Sequence, residues 1–283
     1  MTTRVAPSPT GFFHLGTLLI AELNYLMAKA NNGTFILRID DTDQERNKPE
    51  YIDYIYSQMK EFGLNHDITF RQSERLDRYK EVAEKIGTLN DAGDYILNMT
   101  SPTGDEYVMV ILRANGFPTY NFCSTLDDYD YNITNIIRGA DHIANESKQR
   151  NIWDKICEVE GVKTFPELTH MGLLFDGNKK LSKRSGNGTT ADYEDISRAA
   201  LLNWLFKFGW SHPDPTFDKK YPILSMDDMI RLFNEGQVTK NNCKIDRQKL
   251  LFLDKKWKAL EKRNQPKVTE SKILNYIDFK NKA

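Results

Sequence analysis

A short stretch near the start of the chain, residues 4–17, has the residue pattern of a phosphate-binding turn. An apolar strand is interrupted by Pro7 and Pro9, a turn follows at Gly11, and an amphipathic helix opens near Leu15. Free backbone N–H groups and the positive end of the helix dipole meet at such a helix N-terminus, and both attract phosphate oxygens. The stretch therefore predicts a nucleotide or phosphate site.

Two residues at this turn could act on a bound nucleotide. His14 can donate a hydrogen bond to a phosphoryl oxygen, and Gly16, which has no Cβ atom, lets a flat base or ribose approach the backbone. The alternative is an ordinary strand–turn–helix connection with a surface histidine, since short motifs also occur by chance. The rest of the chain has to decide between the two.

A basic segment much later in the chain, Lys180-Leu-Ser-Lys-Arg184, could oppose negative charge that develops on phosphate oxygens during a reaction. Cations fixed near those oxygens stabilise the transition state more than the ground state. We expect Lys183 to make the main contact, with Lys180 and Arg184 in support; the alternative is a solvent-exposed basic loop.

The elements around the first turn predict a parallel sheet. The helix from Leu15 should end near Gly33, and Thr34–Ile39 has the composition of a buried strand. Strand, helix and strand within about 35 residues form a βαβ unit. Asp40 follows the second strand at its carboxyl end, where open α/β sheets bind ligands, although a solvated acidic turn is equally possible.

The pattern continues as alternating helices and strands and then becomes helical after about residue 191. We predict helices over Tyr51–Phe62, Leu76–Ile86, Glu146–Glu158, Ala199–Gly209, Ser225–Phe233 and Arg247–Leu260, and strands over Glu106–Leu112, Ile133–Ile137 and Thr169–Phe175. The fold class is therefore α/β, followed by a smaller helical region. A basic run from Lys255 to Lys267 is either a solvated face or a phosphate contact.

Composition limits the possible classes of protein. The 283 residues are 40% hydrophobic and 28% charged, with a net charge of −1, so the whole chain has no overall basic character for binding nucleic acid. No apolar run could span a bilayer, and the N-terminus does not resemble a signal peptide. Cys123, Cys157 and Cys243 lie far apart without metal-ligand spacing. We expect reduced thiols and a cytoplasmic, monomeric protein that does not bind a membrane.

Together the two motifs resemble those of class I aminoacyl-tRNA synthetases. His14-Leu-Gly16 is similar to their His-Ile-Gly-His motif, 180–184 to their Lys-Met-Ser-Lys-Ser motif, and the Ala-Pro-Ser-Pro-Thr-Gly form of 6–11 to the glutamyl-tRNA synthetases in particular. The resemblance implies a Rossmann-like catalytic domain, ATP-dependent activation of L-glutamate, and transfer of the glutamyl group to tRNA or another nucleic-acid-derived acceptor. Mg²⁺ would bridge the phosphates, and we expect no zinc site.

The resemblance also assigns roles to individual residues. On the glutamate side it implies Arg4, Ala6, Ser8, Asp40, Tyr120 and Arg138. On the ATP side it implies Thr10, Gly11, His14, Gly16, Thr17, Asp141, His142, Leu181 and Lys183. A forked guanidinium suits a γ-carboxylate, so Arg4 and Arg138 are the candidates for that group, and Asp40 would hold the α-ammonium. A structural salt bridge is the alternative for Arg138.

Two positions depart from the family pattern, which usually has Glu where Asp40 and Ala140 stand. The first change shortens the reach to the ammonium by about one methylene, and the second alters the local polar network. The Arg138-Gly-Ala-Asp-His142 segment favours glutamate over glutamine, because it looks different in glutaminyl relatives.

The resemblance implies a catalytic domain over 1–190, with a shortened insertion at about 80–115, and a helical stem-contact-like domain with a basic tail over 191–283. We expect the family's anticodon-binding region to be absent and the insertion to have room for little more than a helix and a strand. The enzyme that glutamylates queuosine in a tRNA also lacks the anticodon region, although it keeps more of the insertion and often a zinc cluster. Three possibilities stay open: a glutamate–tRNA ligase, an enzyme that uses a modified base or an amine as acceptor, and a catalytically weak regulatory module.

Overall fold

The computed structural model describes residues 1–43, 45–181 and 188–263. Its helices are α1 (Leu15–Ala30), α2 (Pro49–Glu61), α3 (Leu76–Ile86), α4 (Tyr120–Asp130), α5 (Glu146–Glu160), α6 (Arg198–Gly209), α7 (Phe217–Lys220), α8 (Met226–Leu232) and α9 (Arg247–Arg263). Its strands are β1 (Thr2–Val5), β2 (Thr34–Ile39), β3 (Ile68–Arg71), β4 (Thr88–Leu89), β5 (Tyr95–Thr100), β6 (Glu106–Leu112), β7 (Asn135–Gly139), β8 (Glu167–Met171), β9 (Leu174–Asp176), β10 (Lys179–Lys180), β11 (Trp210–Ser211), β12 (Gln237–Val238) and β13 (Cys243–Lys244).

Two parallel sheets form the central layer, and they meet edge to edge. In the first sheet β2 lies between β1 and β3, and in the second β7 pairs with β8. The backbone N–H of Thr134 donates to the carbonyl of Thr2 at 2.9 Å, which places β7 along the free edge of β1. The carboxyl ends of β1, β2 and β7 therefore open onto a common edge, as the βαβ pattern predicts.

Helix α1 packs against this layer and is buried around most of its circumference. One polar residue within it, Asn24, binds the sheet: its side-chain amide donates to the carbonyl of Ile137 at 2.8 Å and accepts from the N–H of Ile137 at 3.0 Å. Because the amide N–H and the oxygen of the buried Asn24 side chain are both hydrogen-bonded to Ile137, the position of α1 along β7 is fixed. That register fixes the backbone next to Arg138.

The segment between α3 and α4 holds more structure than the sequence predicts. We expected little more than a helix and one strand, but β4, β5 and β6 form a three-stranded antiparallel sheet. The strand over Glu106–Leu112 is confirmed. Buried apolar and exposed polar residues alternate over 97–100, which is a strand signal, but β5 was missed because this alternation is only four residues long.

The predicted strand Thr169–Phe175 is in fact two strands, β8 and β9, in different sheets. The break falls at Gly172, where a Cβ atom would lie 1.9 Å from the carbonyl oxygen of Asn241. Asn242 Oδ1 also accepts from the N–H of Leu173 at 2.9 Å. The incoming chain thus directs β9 into a small sheet with β10 and β13, and Lys179–Lys180, where the sequence predicted no strand, form β10.

The C-terminal part is mainly helical, which confirms the predicted order of an α/β region followed by helices. Helices α6, α8 and α9 share one hydrophobic core with α1 and α2, and this core extends from Val5 to Trp257. Gly209 at the end of α6 allows a close approach to α1: a Cβ atom there would lie 2.7 Å from Cδ1 of Leu19. A domain boundary at 190/191 stays a prediction. None of the described helices combines the length and apolarity needed to cross a bilayer.

Candidate functional site

A cavity of about 280 Å³ lies at the carboxyl end of β1, β2 and β7. Most of the residues that the sequence places at a substrate or nucleotide line it: Arg4, Ala6, Ser8, Thr10, Gly11, His14, Thr17, Asp40, Tyr120, Arg138 and His142. They come from segments that are up to 138 residues apart in the chain, from Arg4 to His142, so the fold alone brings them together. Gly16, Asp141, Lys180 and Leu181 are not among the residues that line the cavity.

His14 is the N-cap of α1, and its ring orientation follows from that position. The imidazole Nδ1 accepts a hydrogen bond from the N–H of Gly16 at 3.0 Å. In the neutral ring the proton is therefore on Nε2, which makes Nε2 the donor nitrogen. A Cβ atom at Gly16 would lie 3.1 Å from Nδ1. The glycine thus provides room for the capping imidazole, a reason that the sequence did not suggest.

The second basic motif, residues 180–184, is anchored close to the cavity by contacts at its start and after its end. Lys183 and Arg184 themselves lie outside the described residues. On one side Lys180 Nζ pairs with Asp141 at 3.0 Å, and this ammonium lowers the pKa of Asp141 although partial burial opposes the shift. On the other side the carbonyl of Gly188 accepts from the N–H of Leu15 at 2.8 Å. The chain thus returns to the N-terminus of α1 immediately after the motif.

Leu181 is buried in the main core, and its N–H donates to the carbonyl of Leu174 at 2.8 Å. Any contact of Leu181 with a nucleotide would therefore be made by its backbone.

The cavity floor rests on a buried network of arginines and aspartates. Arg38, the last residue but one of β2, donates to both oxygens of Asp40 at 2.6 and 3.2 Å and to Asp128 at 3.0 Å. Arg4 donates to Asp128 through Nε and Nη2, both at 3.0 Å. These contacts satisfy charges that would be costly to bury alone. Asp40 is thus already paired on one side, while burial raises its pKa.

Arg138, next to this network, has no anionic partner among the residues that the structure describes. Its Nε donates to Nε2 of His170 at 3.0 Å, and its Nη1 donates to Oε1 of Gln149 at 2.6 Å; both partners are neutral acceptors. Nη2 is buried and has no hydrogen-bond partner among the described residues. Burial and the nearby Arg4 lower the pKa of Arg138. A buried guanidinium in this state favours an incoming anion.

Tyr120 and His142 form one wall of the cavity. The phenol oxygen and Nδ1 of the imidazole lie 3.1 Å apart. Burial lowers the pKa of His142, and the neighbouring cations Arg138 and Arg4 lower it further. A neutral imidazole at this position can accept or donate a hydrogen bond at neutral pH.

The sequence did not single out Arg38, Asp128, Gln149 or His170 as functional. Two of them carried a signal that could have been used. Arg38 interrupts an otherwise apolar strand, and Asp128 follows another aspartate, Asp127, in a helix that is apolar at Phe122 and Leu126. A charge on a buried element needs a partner, so each predicts the other. Gln149 and His170 occur in ordinary helix and strand patterns, and only the fold brings them to Arg138.

The described residues include no group of three or more His, Cys, Asp or Glu side chains arranged to hold a metal ion. Mg²⁺ commonly keeps several waters and binds through substrate phosphates with one or two carboxylates. A role for Mg²⁺ stays a prediction.

Comparison with known proteins gives a consistent result. The family model for tRNA synthetases class I (E and Q), catalytic domain, matches residues 1–95 and 86–252. A glutamate–tRNA ligase of Francisella tularensis subsp. novicida is 34% identical over 318 aligned positions, which cover 90% of this chain and 65% of the relative. Glutamate–tRNA ligase 2 of Neorickettsia sennetsu is 36% identical over 278 positions, with the same coverage. The chain thus spans about 65% of the length of these curated relatives.

Solved structures have the same fold. The crystal structure of a glutamate tRNA ligase from Elizabethkingia meningosepticum in complex with its amino acid matches with a TM-score of 0.73 at 23% identity, covering 97% of this chain and 75% of that one. The glutamate-tRNA synthetase of Elizabethkingia anophelis gives 0.74, also at 23% identity. The structural match covers nearly all of the chain, and the family model covers residues 1–252. The chain therefore belongs to the class I tRNA synthetase family of glutamate and glutamine enzymes, and it matches their catalytic domain.

Proposed function

We propose that this chain activates L-glutamate with ATP to form glutamyl-adenylate and then transfers the glutamyl group to an acceptor, with tRNA as the first candidate. The observation that carries the proposal is Nη2 of Arg138, which has no partner in the described part of the chain and lies at the same cavity as Asp40 and His14. An anion site, an ammonium site and a phosphate-binding helix terminus are the three contacts that an amino acid and ATP together require.

In the first step, an oxygen of the substrate α-carboxylate attacks the α-phosphorus of ATP. A carboxyl–phosphorus bond forms, the bond from the α-phosphorus to the bridging oxygen breaks, and pyrophosphate leaves with that electron pair. His14 donates from Nε2 to a phosphate oxygen, while Lys183, Lys180 and Arg184 oppose the growing charge. Catalysis then rests on orientation and electrostatics, with no protein nucleophile.

Arg138 binds the γ-carboxylate through Nη2, and Arg4 adds positive charge beside it. Because Nε and one terminal nitrogen of Arg4 already bind Asp128, Arg138 makes the main contact. Asp40 accepts from the α-ammonium on the side that Arg38 does not occupy. A glutamine side chain would leave a buried cation without an anion, so the site discriminates against it.

A second cavity, of about 590 Å³, adjoins the first and shares Ser8, Asp40 and Tyr120 with it. Its other walls include Arg46 and Arg113, the latter at the end of the β5–β6 hairpin. We place the acceptor there, because an acceptor hydroxyl must reach the carbonyl of the adenylate. In that step the hydroxyl oxygen bonds to the carbonyl carbon, the bond from that carbon to the phosphate oxygen breaks, AMP leaves with the electron pair, and the hydroxyl proton passes to the phosphate of AMP or to water.

The acceptor and the need for tRNA can be tested together. Labelled glutamate, ATP and purified tRNA-Glu are incubated with the chain, and pyrophosphate exchange is followed with and without tRNA. We expect pyrophosphate exchange in the absence of tRNA. We also expect labelled glutamate to become attached to intact tRNA-Glu but not to tRNA-Glu whose 3′ end has been oxidised with periodate. Exchange that requires tRNA would contradict tRNA-independent activation. Attachment of labelled glutamate to periodate-treated tRNA would show that the acceptor is a modified base and not the 3′ end. Absence of exchange under every condition would favour a regulatory module.

A further inference from the structure

Two nitrogens of the Arg138 guanidinium are hydrogen-bonded to side chains, and the third has no partner among the described residues. Nε and Nη1 are used by His170 at 3.0 Å and Gln149 at 2.6 Å, while Nη2 is buried without a partner in the described structure. A guanidinium is planar and rigid, so two fixed nitrogens determine where the third points. The two neutral side chains therefore control the direction of the only terminal nitrogen that remains for a ligand.

His170 holds its position through the strand register. It lies directly opposite Arg138 in the β7–β8 ladder, and Gln149 reaches the same guanidinium from α5. Because an N–H of arginine always donates, Nε2 of His170 must accept and cannot carry a proton. The imidazole is then neutral with its proton on Nδ1. Protonation of Nε2 would replace the hydrogen bond by two donors and two positive charges at contact distance.

We propose that His170 and Gln149 are positioning residues for carboxylate recognition, which hold Nη2 of Arg138 towards the substrate carboxylate, and that protonation of His170 releases this hold. This inference rests on the proposed function. It adds that amino-acid affinity depends on pH through a residue that does not line the cavity.

The charges around His170 set the range in which such a change would occur. Burial lowers the pKa of His170, Arg138 lowers it further, and Glu146 at the start of α5 opposes them. His142 is the other titratable group that interacts with His170. The imidazole is thus neutral at pH 7, and its hydrogen bond is lost as the pH falls below the ordinary histidine value of about 6.5. Substrate affinity should fall in the same direction.

The contact can be tested without any substrate by NMR of the five histidines. We expect His170 to have its proton on Nδ1 at pH 7 and to titrate below about 6.5. Removing the cation in Arg138→Gln should raise that pKa, whereas Lys155→Gln, an exposed change on α5, should not. A proton on Nε2 at pH 7, or a pKa that Arg138→Gln leaves unchanged, would overturn the proposal.

The functional consequence is tested by the KM for glutamate in pyrophosphate exchange between pH 5.5 and 7.5. In the wild type KM should rise as the pH falls. His170→Gln retains an uncharged acceptor and should give a flat KM profile with kcat nearly unchanged. His170→Leu and Gln149→Leu should raise KM about tenfold or more at pH 7.5, which is the effect of losing one hydrogen bond to a charged group.

Gln58→Leu is the matched control for Gln149→Leu, because Gln58 is also buried but lies on α2 and pairs with Glu61. A KM slope that persists in His170→Gln, or an unchanged KM in both folded leucine variants, would contradict the proposal. If the wild type shows no exchange with glutamate, the proposed function fails and the binding role of both residues fails with it. The NMR result still decides whether His170 holds Arg138.

Discussion

Arg4 and Asp128 form a two-point ion pair beneath the cavity, with Nε–Oδ1 and Nη2–Oδ2 distances of 3.0 Å each. The same Oδ1 accepts from Nη1 of Arg38 at 3.0 Å. One carboxylate on α4 therefore joins β1 to β2 and holds an arginine that lines the cavity. The aspartate itself does not line the cavity, so its contribution is to stability and to the position of Arg4.

Asp128→Asn should strongly destabilise the fold. The substitution removes the negative charge shared by two buried guanidiniums, and breaking a buried pair typically costs about 3 kcal/mol or more. Urea denaturation followed by circular dichroism measures the free energy of unfolding. Asp154→Asn, an exposed change on α5, should alter it by less than about 0.5 kcal/mol. Equal stability of the two variants would show that the buried pair contributes little.

The two roles of His14 can be separated by substitution. His14→Asn keeps a side-chain acceptor at the N-cap of α1 but removes the Nε2 donor, so the free energy of unfolding should change little while the exchange rate falls about 100-fold. His14→Ala should lose the N-cap hydrogen bond as well, which should lower the free energy of unfolding by about 1 kcal/mol. Thermal melts and exchange rates measured on both variants test this. Full activity in His14→Asn would exclude the imidazole from phosphate binding.

Lys183→Ala should lower the maximum exchange rate by about 100-fold or more and change the KM for ATP little, because the charge it opposes grows in the transition state. Lys179→Ala is the matched control, since Lys179 is an exposed lysine of the same segment. Steady-state exchange over a range of ATP concentrations separates the two constants. An unchanged rate in Lys183→Ala would remove the assignment of the second motif.

Glu22, on α1, is a buried carboxyl group without a hydrogen-bond partner among the described residues, and burial raises its pKa well above the ordinary value. In the unfolded chain it ionises near pH 4.3. Above that pH the folded state binds more protons, so the free energy of unfolding falls as the pH rises towards the folded pKa.

Glu22→Gln should therefore stabilise the protein by at least about 1 kcal/mol at pH 7 and by much less at pH 4. Denaturation curves at both pH values test this, with the exposed Glu158→Gln as a control that should show little effect at either. A stabilisation of the same size at pH 4 and pH 7 would mean that ionisation of Glu22 is not the cause.

The sequence predicted the parts of the fold and site that local patterns encode. The βαβ unit, the helix N-terminus at His14 and the parallel layer are confirmed, because leucine spacing and strand composition are local signals. The family resemblance is confirmed as well. The split between β8 and β9 was not predictable, since it depends on the approach of Asn241, which is about 70 residues away in the chain.

The two residues that hold Arg138 in position also could not be predicted from local sequence patterns. Gln149 and His170 reach Arg138 only through the packing of α5 and the register of β8. The roles of individual residues at glutamate and ATP stay predictions.

The most direct test of glutamate activation compares ATP–pyrophosphate exchange with glutamate and with glutamine, in the absence of tRNA. We predict exchange with glutamate, and a kcat/KM for glutamine lower by about 100-fold or more, because glutamine would leave the cation of Arg138 unpaired. Arg138→Gln should lower kcat/KM for glutamate about 100-fold and so reduce the preference for glutamate over glutamine. Arg231→Gln, at a partly exposed arginine of α8, should retain the preference of the wild type. Equal use of the two amino acids by the wild type, or no exchange with glutamate, would contradict this account.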